Sequence, residues 1–114
     1  MKSSYFRHIV FYGNYFEEFY NEQNPKVQLK IDEVLFLIGN LQMVPSKFLA
    51  YMIGSDGLYE IRVELLGNIF RIFCFFDIGN KIVLINGFQK KTQRTPKRFL
   101  NKAEKIKREY FNTK

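Results

Sequence analysis

Apolar and aromatic residues recur with two different periods along this chain of 114 residues, and the change of period marks its elements. Residues 5–12 are aromatic and β-branched and end at Gly13, which predicts a first strand. Asn14, with Glu17 three residues on, reads as a capping pair for a short helix whose buried stripe is Phe16, Phe19 and Tyr20. Asn24-Pro25 is a second start signal, a cap followed by proline at the first helical position. Val27, Ile31, Val34, Leu35 and Ile38 then follow at helical spacing, with Gly39 as the expected stop. Residues 40–57, with Pro45, Gly54 and Gly57, read as a connection holding at most one helical turn. Three strands follow, at 58–66, 69–78 and 81–90, separated by Gly67-Asn68 and Gly79-Asn80. Thr95-Pro96 opens a final helix with Phe99, Ala103, Ile106 and Tyr110 on one stripe.

Both glycine-asparagine pairs suit two-residue hairpin turns, and such turns set the register. On that register Glu64 faces Arg71, Arg62 faces Phe73, Arg71 faces Phe88, Phe73 faces Asn86 and Ile69 faces Lys90. Alternation then places Glu60, Arg62, Glu64, Arg71, Phe73, Phe75, Asn86, Phe88 and Lys90 on one face. Tyr59, Ile61, Val63, Leu65, Phe70, Ile72, Cys74, Phe76, Val83 and Ile85 share the other, which is the core face. The fold class is therefore α+β, a single domain over residues 1–114. It is an antiparallel sheet in the order β-α-α-β-β-β-α, with the two N-terminal helices on one face and the other face at least partly open. An odd loop length or a bulge would turn one strand over and break the grouping.

Composition changes this picture in two ways. Thirteen Phe and seven Tyr give a small chain enough apolar area for a core, and a single cysteine, Cys74, excludes an internal disulfide scaffold and any multi-cysteine zinc site. No apolar run is long enough to span a membrane, and the first residues do not read as a signal peptide, so a reducing cytoplasm is the expected location. The second change is charge. The chain carries a net +7, and nine of its 18 basic residues fall between Lys90 and Arg108. A basic half on a small domain points to a polyanion, either nucleic acid or an acidic protein.

On the polar sheet face, Arg62, Arg71 and Lys90 concentrate positive charge where a phosphodiester could sit, and arginine grips phosphate oxygens with two prongs. Phe73 or Phe88 could stack a splayed base. Glu60 or Glu64 could take a proton or hold an arginine in place. The same residues also fit a solvated row of ion pairs, Glu64 with Arg71 and Glu60 with Arg62, and both readings stand at this point. His8, the only histidine, reads as structural, and Cys74 as a buried filler. There is no phosphate-cradling glycine loop, dinucleotide fingerprint or metal-ligand spacing, so no cofactor is expected.

Several stretches together carry a family resemblance. They are Gly57-Leu-Tyr-Glu-Ile-Arg62, Gly67-Asn-Ile-Phe-Arg-Ile72, Asn86-Gly-Phe-Gln-Lys-Lys-Thr-Gln-Arg-Thr-Pro96, Val44-Pro45 and Lys102-Ala-Glu-Lys105. With these, the chain resembles the RelE/ParE superfamily of bacterial toxins, and within it the phage-derived HigB-like branch. The resemblance implies a RelE-like fold and the toxin of a type II toxin–antitoxin pair. The implied activity is that of an mRNA interferase, an endoribonuclease that cuts messenger RNA on the ribosome without a metal and so stops translation and growth. It implies attack of a ribose 2′-hydroxyl on the adjacent phosphate. Arg62 and Arg71 would stabilise the charged phosphate, Lys90 would assist there or at the leaving oxygen, and Glu60 is the general-base candidate. Phe88, Lys91, Arg94, Lys97 and Arg98 are the expected RNA-binding residues. Relatives that use an active-site histidine have no counterpart here after His8. The implied partners are the ribosome, mRNA and a cognate antitoxin, a helix-turn-helix protein through which alone operator DNA would be met. A ParE-like gyrase poison and a non-catalytic member that only binds RNA or antitoxin are the alternatives. The strand basic triad and the Phe-Gln-Lys-Lys strand end favour the ribonuclease.

Overall fold

Asn24 and Pro25 open a helix as their chemistry requires: the Asn24 side chain accepts a hydrogen bond from the Val27 N–H (3.0 Å), and the proline occupies a position whose N–H has no helical partner. The computed structural model describes residues 6–114. Its elements are β1 (His8–Phe11), α1 (Tyr15–Asn21), α2 (Pro25–Asn40), β2 (Leu49–Tyr51), β3 (Tyr59–Leu65), β4 (Asn68–Asp77), β5 (Lys81–Lys90) and α3 (Lys97–Asn112). The expected first strand is shortened, and Tyr5 lies outside the described residues. Three expected end signals differ. Asn14 precedes α1 but makes no side-chain capping bond, and Pro96 rather than Thr95 is the N-cap of α3. The third is Gly39, which does not stop α2. The helix runs on to Asn40, and the Arg7 guanidinium takes its terminal carbonyls, donating to Ile38 O (3.1 Å), Leu41 O (2.7 Å) and Gln42 O (3.1 Å).

The sheet has five strands in the order β1-β5-β4-β3-β2. Two features correct the sequence reading. The connection over 40–57 contains β2, a strand of only three residues, too short to show an alternating pattern. The sheet is also mixed, because β1 pairs parallel with β5. After β1 the chain passes through α1 and α2 and re-enters at the far edge as β2. Three antiparallel steps then bring β5 back beside β1, running in the same direction.

Both hairpins depart from the expected turns. The first turns on Leu66-Gly67, with φ of 51° and 82°, so Leu65 pairs with Asn68. This moves the register by two residues and preserves the faces: Arg62 now faces Arg71, Glu64 faces Ile69 and Glu60 faces Phe73. The second hairpin has a three-residue loop, Ile78-Gly79-Asn80, between paired Asp77 and Lys81. That odd loop turns the first half of β5 over, so Ile82 and Leu84, not Val83 and Ile85, join the core face. An irregularity opposite Phe73, where β5 supplies both Ile85 and Asn86, restores the expected pairing of Arg71 with Phe88 and Ile69 with Lys90.

Two cores result. One lies under α1 and α2 and includes Phe19, Ile31, Val34, Ile38, Ile61, Ile72 and Cys74. At Gly87 a Cβ would come within 2.7 Å of the Phe19 ring, so only glycine lets α1 settle on β5. The other face is less open than expected. There α3 buries Ala103 and Ile106 against Phe73, Phe75, Val83 and Phe88, leaving uncovered only the end of the face that carries Arg62, Glu64 and Lys90. The C-terminal end of α3 is anchored by Asp77, whose carboxylate accepts from Tyr110 Oη (2.6 Å) and the Ile78 N–H (2.8 Å) and pairs with Lys114.

Two outcomes follow. Leu66 is exposed at positive φ, where a side chain without a local hydrogen bond is strained, so Leu66→Asn should raise unfolding stability by about 0.5–1 kcal/mol in denaturant titrations. A loss of stability would show that the turn relies on leucine. Lys114, Tyr110 and the Ile78 N–H hold the Asp77 carboxyl well below the usual carboxylate range. A lowered folded-state pKa means stability that is complete above the unfolded value, about 4, and is lost as pH falls below it. Asp77→Asn should therefore lower Tm at neutral pH, and the gap to wild type should narrow as pH drops below about 4. A gap independent of pH would contradict this.

Candidate functional site

The open end of the second sheet face brings together four of the expected residues. Across β3, β4 and β5, one row holds Glu64, Ile69 and Lys90, the next Arg62, Arg71 and Phe88, and the next begins Glu60, Phe73. Two guanidiniums thus sit directly opposite one another on neighbouring strands, an arrangement that repels unless an anion lies between them. Glu60 supplies it. Its Oε1 accepts from Arg62 Nε (2.9 Å) and lies 2.9 Å from Arg62 Nη2 and 3.7 Å from Arg71 Nε. The expected ion pair of Glu60 with Arg62 is present, whereas Glu64 faces Ile69 and not Arg71.

Burial divides the two arginines. Arg62 is half-buried, and its Nη1 also reaches Ser46 O (3.4 Å). Arg71 is only 7% exposed. Its Nη1 donates to Phe70 O (3.2 Å), while its Nε is buried with no hydrogen-bond acceptor. Burial pushes its pKa down from the ordinary guanidinium value, Glu60 pulls it back up, and Arg62 pushes it down again. An arginine stays charged through such shifts, so the site keeps a desolvated cation with an unused donor. Leaving a buried donor unmade costs about 1–3 kcal/mol.

Arg71 lines a cleft of about 500 Å³ together with Arg62, Glu64, Lys30, Lys47 and Phe48. β2 begins only at Leu49, and beyond the bond from the Arg62 N–H to Phe48 O the edge of β3 has no strand beside it. Lys30, Lys47 and Phe48 were not expected. They come from α2 and from the connection before β2, and only the tertiary fold brings them to the arginines.

The remaining expected residues do not line the cleft. Phe88 is 5% exposed, stacked on Phe99 (centroids 4.4 Å apart, 11° between planes) and packed on Phe73 (5.7 Å), and Phe73 is itself fully buried. Neither ring offers a face to a base; both belong to the core beneath α3. Lys90 is half-buried and, with Lys91, lines a separate hollow beside the Leu66-Gly67 turn. Lys91, Arg94, Lys97 and Arg98 are exposed between the end of β5 and the first turn of α3, with the Arg98 guanidinium 4.5 Å from the centre of the Phe99 ring. They extend the basic surface without entering the cleft. His8 is exposed on β1, far in register from the arginines. Cys74 is fully buried, and burial pushes its thiol far above the usual range, so it is not a nucleophile. Among the described residues no group of three or more His, Cys, Asp or Glu is placed to hold a metal ion, and no helix is long and apolar enough to cross a membrane.

A cleft with four cations around one carboxylate, Glu64, has the chemistry to hold a phosphate group and to stabilise charge that develops on it. No curated protein matches the chain. Residues 18–108, which contain α2, all of β2 to β5 and most of α3, match the model of the phage-derived protein family described as Gp49-like (DUF891). The match spans most of the chain, which therefore belongs to the phage-derived Gp49-like family.

Proposed function

We propose that this protein is the toxin of a type II toxin–antitoxin pair and acts as an endoribonuclease on messenger RNA at the ribosome. Membership of the Gp49-like family, a family of RelE/HigB-like type II toxins, supports the toxin reading. The observation that carries the chemistry is Arg71: a guanidinium withdrawn from water, with a donor unused, in a cleft that also holds Arg62.

In this reading the 2′-hydroxyl of one ribose attacks the phosphorus 3′ to it. The P–O bond to the next 5′-oxygen breaks, leaving a 2′,3′-cyclic phosphate and a 5′-hydroxyl. Arg71 and Arg62 bind the non-bridging oxygens as negative charge builds on them. Lys90, one row away on β5, meets the leaving oxygen or the next phosphate. Glu60 is a positioning residue, because its Oε1 is held by two nitrogens of Arg62 and the side chain is almost fully buried. Glu64 is exposed in the same cleft and is the carboxylate placed to accept the 2′-hydroxyl proton. Orientation of the hydroxyl falls to the ribosome. The antitoxin, a small helix-turn-helix protein, neutralises by covering this basic end of the molecule.

Removing a preorganised donor from a charged transition state costs about 100- to 1000-fold in rate. Arg71→Ala, expressed alone in growing cells, should abolish growth arrest and the new RNA 5′ ends inside translated frames. Arg71→Lys should restore them only partly, because one ammonium cannot reproduce a two-pronged contact. Tm measured on the same variants checks folding. A well-folded Arg71→Ala protein that still arrests growth contradicts the assignment, and DNA breaks with intact mRNA after induction would favour gyrase as the target.

A further inference from the structure

The phosphate reading accounts for Arg62 and Arg71 but leaves the other wall of the cleft without a task. That wall is Lys30, Lys47 and Phe48. Phe48 is half-buried, with part of its ring packed against the core under α1 and α2. The Lys47 ammonium lies 5.0 Å from the ring centre, over its face, and Lys47 is exposed. In the backbone beneath, Pro45 O accepts from both the Phe48 N–H (2.9 Å) and the Leu49 N–H (3.2 Å).

The wall is also tied to the arginines. Phe48 O accepts from the Arg62 N–H (2.8 Å), and Ser46 O accepts from Arg62 Nη1 (3.4 Å). The Phe48 backbone is therefore held beside Arg62 at the edge of β3. Lys30 closes the far side from α2, with Glu33 3.7 Å away as a solvent-exposed partner of little strength. An aromatic platform, two ammonium groups and the neighbouring arginines in about 500 Å³ match the parts of a nucleotide better than those of a bare phosphate.

We propose that Lys30, Lys47 and Phe48 form a subsite for one nucleotide of a single-stranded RNA, adjoining the phosphate held by Arg62 and Arg71. The base stacks on the Phe48 ring in place of the Lys47 ammonium. Lys47 and Lys30 then take the phosphate on that nucleotide's outer side. This rests on the reading of Arg71 as the phosphate site, and it assigns the base contact to Phe48 instead of the buried Phe88.

The test is binding of a 2′-O-methyl RNA hexamer, uncleavable because the attacking hydroxyl is blocked, followed by fluorescence anisotropy at several salt concentrations. Phe48→Leu should weaken binding about 5- to 100-fold, the effect of losing one base–aromatic stack. A hexamer with an abasic site at the stacked position should bind wild type as weakly as it binds Phe48→Leu. Lys47→Ala, an exposed change that leaves the fold alone, should reduce the slope of log affinity against log salt by about 0.7. Should Phe48→Leu fail to fold, the Lys47→Ala slope and the abasic hexamer decide. Wild-type affinity and slope in both variants, with Arg71→Ala still weakened, would overturn the subsite and spare the phosphate site. Unchanged binding by Arg71→Ala would sink the phosphate reading itself. Duplex DNA bound as tightly as the hexamer would overturn the assignment to single-stranded RNA.

Discussion

The Glu60 carboxylate holds two like charges in one row of a sheet. Arg62 and Arg71 face each other across β3 and β4, and without an anion they would drive their strands apart or turn out into water. Glu60, one row behind and almost fully buried, binds Arg62 with two contacts and stands near Arg71 without hydrogen-bonding it. One carboxylate cannot saturate two guanidiniums. The arrangement therefore keeps a net positive charge and an unused donor on the less exposed arginine. A surface guanidinium would have relaxed into satisfaction with water; Arg71 cannot, because burial has removed the water.

The rest of the fold presents that cluster. α3 covers the second face over Phe73, Phe75 and Phe88 and so closes only the β5 end of the arginine row. β2 begins late enough to leave a cleft at the edge of β3. The irregularity at Ile85 and Asn86 reverses the face change caused by the three-residue loop before it, so Phe88 and Lys90 reach the rows they occupy. Asn86 at that point donates to Phe99 O (3.3 Å), which ties the irregularity to the start of α3. Its Oδ1 is buried without a partner, a cost accepted where the strand changes face.

Much of this was legible in the sequence, for identifiable reasons. Helical spacing located α2 and α3, and alternation located β3, β4 and β5 and put Arg62, Arg71 and Lys90 on one face. That grouping survived two wrong turns: the first hairpin slipped by two residues, which preserves faces, and the second error was cancelled by the irregularity within the strand. What was not legible depends on contacts distant in sequence. β2 is a strand only because β3 lies beside it, and β1 is parallel only because β5 returns to it. Phe88 reads as a surface ring until α3 lays Phe99 on it, and Lys30, Lys47 and Phe48 have no local pattern that links them to arginines on β3 and β4.

The central claim is that the Arg71 guanidinium is the anion-binding centre of this molecule. The most direct measurement is the 15N-edited NMR signal of the Arg71 side-chain Nε–H as an uncleavable single-stranded RNA oligonucleotide is added. The account predicts that this resonance shifts, together with that of Arg62, while side chains in the core under α1 and α2 stay still. An Arg71 signal that does not move at saturating RNA, with shifts confined to the exposed lysines of α3, would contradict it.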